Sequence, residues 1–322
     1  MTHFESKANE IQSPEKIIDT HQHVFWHGKN DEDLVADMDE YGIGLAWLLT
    51  FEIPEYPRSA ESTGYSKVLN PRRVRADGSH PGILLDDLLI ARRNYPDRFL
   101  LGYCPDPAVP EACDLFEAAC EMHDVRICGE WKFRMLFDDP RSLQLFQAAG
   151  RRQAPVVLHL DVPYLPPSGG KNVPQWYGGT VQKLVLALEA CPETIFIGHA
   201  PGFWRELGAG ADFEEATYPE STISGPGRLF ELFDAFPNLN ADLSAASALV
   251  ALRRDKGFAR EFLCRHAVRL LFARDYYGGD LLRFLRSLDL PGDVLKMILH
   301  DNAQRLVDPV ASRPRCPVRP VA

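Results

Sequence analysis

Short apolar runs of strand length alternate with longer stretches of helical periodicity along almost the whole chain. Strands are predicted at 16–24 (KIIDTHQHV), 43–51 (IGLAWLLTF), 99–107, 126–133, 154–162, 193–201, 238–245 and 268–277. Amphipathic segments lie between them. In GILLDDLLIARRNYPD (82–97), Leu84, Leu85, Leu88 and Leu89 fall on one helical stripe, and similar patterns cover 111–124, 142–153, 180–192 and 227–238. Several of these stop just before proline, at Tyr95-Pro96, Cys191-Pro192 and Phe236-Pro237. Eight strands alternating with helices predict a parallel sheet, and a (β/α)8 TIM barrel, somewhat distorted, fits best. A doubly wound open sheet is the rival. No G-x-G-x-x-G turn follows the first strand, which counts against it.

The barrel is expected to occupy residues 17–308 as one domain, with a polar arm at 1–16 and a loosely ordered Pro/Arg-rich tail at 309–322. Two connections are unusually long, 52–81 after strand two and 202–226 after strand six. In a barrel such loops sit at the C-terminal face of the strands, where active sites are built.

With 322 residues, 45% hydrophobic and 25% charged, the chain has the composition of a globular protein with a sizeable core. A net charge of −10 argues against nucleic acid or an anionic membrane as the main partner and leaves room for a local pocket for a small anion. The seven cysteines form no C-x-x-C pair, so neither a disulfide framework nor a zinc ribbon is indicated. The N-terminus lacks the apolar segment of a secretory signal, and no apolar run is long enough to span a bilayer, so a cytoplasmic protein is expected.

Chemistry gathers at the strand ends. His21 and His23 are two residues apart on strand one, so their side chains share a face. VVLH ends at His159, IFIGH at His199 and LLFARD at Asp275. Taken singly, a strand-end histidine is more often a solvated or satisfied residue, and a strand-end aspartate is often a helix N-cap. A barrel, however, brings all five to one rim, where four imidazoles and a carboxylate suit zinc, iron or manganese. Glu130 and Lys132 in GEWKF share a strand face, which fits a rim ion pair as well as a functional role. His27 and His300 have no such placement.

The ordered set H-x-H, His, His, Asp resembles the amidohydrolase superfamily, and more closely its amidohydrolase-related branch, which includes aminocarboxymuconate-semialdehyde decarboxylase. The resemblance runs over about residues 17–308, from IIDTHQHVF through VVLHLDVP, FIGHAPGFW, FPNLNADLSA and RLLFARDYY to ILHDNAQRL. It implies a barrel holding one divalent ion, zinc first and manganese or another ion next. His21, His23, His159 and Asp275 would be its ligands, with Asp275 also moving protons and His199 assisting at the substrate. In members with two ions a carbamylated strand-four lysine bridges them. Lys132 lies in the corresponding strand, but GEWKF does not support the modification. One departure stands out: the family's LFGTD-like ending reads LFARD here, placing Arg274 beside Asp275. That cation either lowers the aspartate's pKa or is turned away by alternation.

Two reactions follow from this set. The leading one is hydrolysis of an amide, lactone or ester-like carbonyl, and the runner-up is non-oxidative decarboxylation of an unsaturated or aromatic acid. A metal-binding protein without turnover is a third reading, disfavoured by the intact ligand set. Lys132 and Arg134 at the end of strand four, and Arg58, Arg72, Arg73 and Arg75 in the loop after strand two, are candidates for holding a carboxylate. Trp26 and Trp204, with Trp131, Trp176 and Tyr177, are candidates for an aromatic wall. The expected partner is a small molecule, carboxylate-bearing on this reading, and a homo-oligomer is compatible with the resemblance.

Overall fold

The computed structural model describes residues 16–54, 67–162 and 177–308. The N-terminal arm, Arg58, Trp176, Cys316 and the Pro/Arg-rich tail lie outside the described residues.

All eight predicted strands form. They are β1 (Ile17–Gln22), β2 (Ile43–Leu49), β3 (Phe99–Gly102), β4 (Val125–Trp131), β5 (Val156–His159), β6 (Phe196–His199), β7 (Leu239–Asp242) and β8 (Leu270–Leu271). Each pairs in parallel with its neighbours in chain order. The last strand returns to the first: the Thr20 N–H donates to the Phe272 carbonyl at 3.0 Å, and the Asp275 N–H to the His21 carbonyl at 2.9 Å. With helices between the strands, this is a nearly closed (β/α)8 barrel. The five anticipated helices are present as Leu85–Asn94, Ala112–His123, Pro140–Arg151, Val181–Ala190 and Arg228–Ala235. No helix among the described residues is long and apolar enough to cross a membrane.

The core has two parts. Most buried residues pack between the strands and the surrounding helices. A smaller cluster, Ile18, Trp47, Leu49, Ile127, Val157, Ile197 and Leu271, draws on six of the strands and fills the barrel interior. Val157 and Ile197 are two residues before His159 and His199, so plain alternation carries the inward face up to both imidazoles. Strands β1 and β4 need more. Their pairing registers shift between Asp19 and Gln22 and between Cys128 and Trp131. Each irregularity changes the parity after an inward residue (Ile18 or Ile127), so that His21, His23 and Glu130 turn inward. Trp131 is left to pack against Phe133, Phe137 and Phe146 in the outer layer.

The regular strands are shorter than the apolar runs, because the chain leaves the ladder where it delivers the site. Only Leu270 and Leu271 of 268–277 are paired as strand, and Asp275 sits at φ +50°, a left-handed backbone uncommon outside glycine that aspartate adopts more readily than most residues. Both long connections are pinned at their bases. Phe51–Glu52 pairs antiparallel with Gly82–Ile83, and Gly208–Ala209 with Gly225–Pro226. Gly82 is required: at φ +89° a β-carbon there would lie 2.1 Å from the Phe51 carbonyl oxygen.

Candidate metal centre

Four histidines and two carboxylates meet at the C-terminal mouth of the barrel. His21 Nε2 and His23 Nε2 are 3.3 Å apart. One Glu130 oxygen lies 3.5 Å from His23 Nε2 and 3.9 Å from His21 Nε2. The other is 2.6 Å from His159 Nδ1 and 3.7 Å from His199 Nε2. Asp275 approaches from strand β8, with Oδ1 3.4 Å from His23 Nε2 and 3.9 Å from His21 Nε2, and Oδ2 3.7 Å from His199 Nε2. Three ligand groups can be drawn within this constellation: His21–His23–Glu130, His21–His199–Asp275 and Glu130–His159–His199.

The outward-facing ring nitrogens are held by acceptors. His21 Nδ1 donates to Asp242 at 2.8 Å, and His23 Nδ1 donates to the Leu49 carbonyl at 2.8 Å. His199 Nδ1 is 3.0 Å from the other Asp242 oxygen and 2.7 Å from Ser244 Oγ, whose hydroxyl also donates to Asp242. With the proton fixed on Nδ1, His21 and His23 aim Nε2 lone pairs at the same small volume, and His199 turns its Nε2 toward it as well. That is how imidazoles are oriented when they bind a divalent ion. The donor set of borderline nitrogens and hard oxygens fits zinc or manganese.

Electrostatics of the ion-free cluster agree. Burial opposes charge on His21, but Asp242, Asp275 and Glu130 outweigh it and raise its pKa from 6.5 to about 9. Burial and Lys132 oppose charge on His159, and Asp161 and Glu130 together raise it to about 9 as well. Burial works against the Glu130 carboxylate, yet Lys132 and His159 hold its pKa well below the usual range. Asp242 is likewise depressed, burial being overcome by His199 and His21. In the ion-free protein the two raised histidines stabilise the fold fully below their ordinary value near 6.5, and this contribution fades as pH rises through about 9. Zinc must displace these protons. Titration calorimetry at pH 7 in two buffers of different ionisation heat should therefore show about one to two protons released per ion. Zinc uptake without proton release would contradict the assignment.

His21, His23, His159, His199 and Asp275, the residues singled out in the sequence, are thus brought together. The remaining candidates divide. Lys132 lies beside the cluster, its Nζ 4.8 Å from the Phe51 ring centre and 5.7 Å from that of Tyr177, while Arg134 is half-buried two residues further on. Trp26 lies over the mouth, 6.1 Å from the His23 ring, and its indole donates to the Asp275 carbonyl at 3.0 Å. Trp204 is completely buried, and its indole donates to the Asp242 carbonyl at 2.9 Å, so its visible contact is with the strand that holds His21 and His199. Arg274 is turned away from the metal face, buried between Asp19 and Asp37. Arg73 pairs with Asp86 and Asp87.

Asp242 and Ser244 are not singled out in the sequence, and Glu130 is singled out there only as open between a rim ion pair and a functional role. Glu130 needs the β4 irregularity to point inward. Asp242 closes β7 just as His159 and His199 close their strands, so the rule that flags those histidines flags it too. Ser244, two residues later, completes the support of His199.

No family model matches the chain, and no curated protein matches it. Solved structures do. 5-Carboxyvanillate decarboxylase LigW from Sphingomonas paucimobilis is 16% identical over 91% of this chain and 98% of its own, with a TM-score of 0.57. A putative 2-pyrone-4,6-dicarboxylic acid hydrolase from Pseudomonas putida is 15% identical over 91% and 97%, with a TM-score of 0.55. A dihydroxybenzoic acid decarboxylase from a Polaromonas species, solved with bound manganese and the inhibitor 2-nitroresorcinol, is 17% identical over 91% and 96%, with a TM-score of 0.53. At these identities the likeness is one of fold, spanning nearly the whole of each chain.

Proposed function

We propose that this chain is a metal-dependent hydrolase of the amidohydrolase superfamily, acting on an amide, lactone or ester-like carbonyl of a small molecule. One observation carries the reading: three imidazole Nε2 atoms, each fixed from behind through Nδ1, converge with Glu130 and Asp275 on one point at the barrel mouth. His21, His23, His159 and Asp275, joined by Glu130, would hold one zinc or manganese ion. Such an ion, when bound, acidifies a water and polarises a carbonyl oxygen.

The protein's own groups account for the rest. Glu130 is only 2% exposed, whereas the Asp275 side chain is 17% exposed and so is the carboxylate of the pair that a water or substrate can reach. Asp275 accepts the proton of the attacking water and returns it to the leaving group. His199, braced at Nδ1 by Asp242 and Ser244, donates from a protonated Nε2 to the oxyanion that develops. Lys132 and Trp26, at the rim, orient the substrate.

The second reading is non-oxidative decarboxylation, in which Asp275 or His199 protonates the carbon that loses carbon dioxide. Decarboxylases among the solved structures of this fold favour keeping it. Lactones, amides and aromatic acids offered to zinc- or manganese-loaded protein distinguish the two. Hydrolysis predicts acid release with one oxygen taken from labelled water. Carbon dioxide without label incorporation would transfer the site to decarboxylation, and no turnover in any class by folded, metal-loaded protein would leave a binding protein.

A further inference from the structure

We propose that Arg274 is a positioning residue: its guanidinium, buried between Asp19 and Asp37, locks the seam of β8 and β1 and thereby sets where the Asp275 carboxylate stands relative to His21 and His23. This rests on the functional reading above, which assigns the proton transfer to Asp275.

Arg274 immediately precedes Asp275, and its side chain is only 4% exposed. Nε donates to one Asp19 oxygen at 2.6 Å, and the Arg274 backbone N–H donates to the other at 3.0 Å. That second oxygen also accepts the His21 N–H at 3.3 Å, while the first accepts the Gln22 amide at 2.9 Å. One buried carboxylate is thus shared by the residue before Asp275 and by His21, although 255 residues separate Asp19 from Arg274. The tie falls where regular pairing has ended. β8 stops at Leu271, and Asp275 itself has a left-handed backbone, so the ladder alone does not fix its direction.

Asp37, on the helix Asp31–Glu40, extends the grip past Asp275. It accepts from Arg274 Nη1 and, at 2.9 Å, from the Gly278 N–H, and the Gly278 carbonyl accepts from Arg274 in turn at 3.1 Å. Gln22, between the two histidines of β1, donates to the Tyr276 carbonyl at 2.7 Å. The Tyr277 hydroxyl donates to the Trp26 carbonyl at 3.0 Å, and the Trp26 indole donates to the Asp275 carbonyl. The backbone is therefore held before, at and after Asp275, and its side chain is left to reach the cluster.

Stability alone is a poor account of this arrangement. Buried ion pairs often stabilise no more than apolar residues of the same shape. Here two buried polar atoms, Arg274 Nη2 and Gln22 Oε1, also lack a hydrogen-bond partner among the described residues, which costs stability. What the guanidinium supplies is a single geometry, because its planar fork addresses Asp19 and Asp37 at once.

Two variants separate positioning from support. Arg274→Met should lower thermal stability, since it leaves Asp19 buried and uncompensated. Asp19→Asn combined with Arg274→Met removes both charges and should regain most of that stability. If Arg274 positions Asp275, kcat of the zinc-loaded double variant should nevertheless stay down by about a hundredfold, the scale of a displacement of about 1 Å, with KM little changed. The substrate is whichever lactone, amide or aromatic acid the unsubstituted protein turns over. Arg274→Lys, which keeps the charge without the fork, should recover part of kcat. The visible absorption of cobalt-loaded protein, which reports the geometry of the ligands, should shift in the double variant and partly return with lysine. Should the double variant fail to fold by circular dichroism, Arg274→Lys and Asp37→Asn decide, each with a several-fold loss of kcat and a shifted spectrum. A kcat that returns in step with thermal stability, or a cobalt spectrum unchanged by these substitutions, would overturn the proposal and leave Arg274 a structural residue. Absence of turnover in the unsubstituted protein would instead bring down the functional reading, and the cobalt spectra would still decide whether Arg274 sets the geometry of the centre.

Discussion

Asp275→Asn should lower kcat by about a thousandfold, the scale of a general acid–base group, while KM and the fold change little. The substitution keeps the shape of the side chain and removes its basicity. The position tolerates it structurally, because the backbone there is held by bonds that do not involve the side chain: the Asp275 N–H donates to His21 and the Asp275 carbonyl accepts from Trp26. Asp275 can also contribute a ligand oxygen, so the ion content of the variant must be measured alongside its rate. With His21, His23 and Glu130 in place, the ion should remain at saturating zinc. A variant that keeps its ion and loses turnover separates proton transfer from ligation. Unchanged turnover in the asparagine variant would remove Asp275 from the chemistry.

Glu130→Gln is expected to have the largest effect on the centre itself. Its two oxygens divide the cluster, one toward His21 and His23 and the other toward His159 and His199, so a single carboxylate serves all four imidazoles. An amide keeps one acceptor oxygen and loses the negative charge, and its NH2 has no lone pair to offer an ion and would occupy imidazole lone pairs that otherwise bind one. Zinc affinity should fall by more than the roughly 10–100-fold that losing a supporting residue costs. Asp242→Asn, which weakens the hold on His21 and His199 without touching the ion, should stay within that smaller range. Competition against a calibrated chelator reads both. Equal losses for the two variants would place Glu130 among the supports rather than the ligands.

Much of this was legible in the chain, for identifiable reasons. The eight strands are short apolar runs closed by turn residues, and β5 and β6 alternate without interruption into His159 and His199. The helix Asp31–Glu40 has a weak pattern, because only Leu34, Val35 and Met38 of its ten residues are buried. What marks its start is a capping box between Asn30 and Asp33. Glu130 was ambiguous because its direction depends on a register irregularity that residue spacing does not encode. Arg274 was open for a related reason. Alternation at a strand end does not say whether a cation meets Asp275 or its own acidic partners, and the answer depends on Asp19 and Asp37, both more than 230 residues away in sequence. Asp242 could have been found, since it obeys the same strand-end rule as the histidines beside it. Trp204 shows the limit of composition: an aromatic next to the site proved to be a brace for the strand behind it.

The central claim is that four histidines and two carboxylates, drawn from the ends of five strands, surround a divalent ion. Elemental analysis of protein purified without chelators, combined with anomalous diffraction at the absorption edge of the metal found, addresses it directly. The expected result is one ion per chain, within bonding distance of His21, His23, His159 and Asp275, with Glu130 beside it. Two ions per chain would make the Glu130–His159–His199 group a second site of its own. Protein that turns over substrate with no stoichiometric ion, and that shows no anomalous peak among these side chains, would contradict the account.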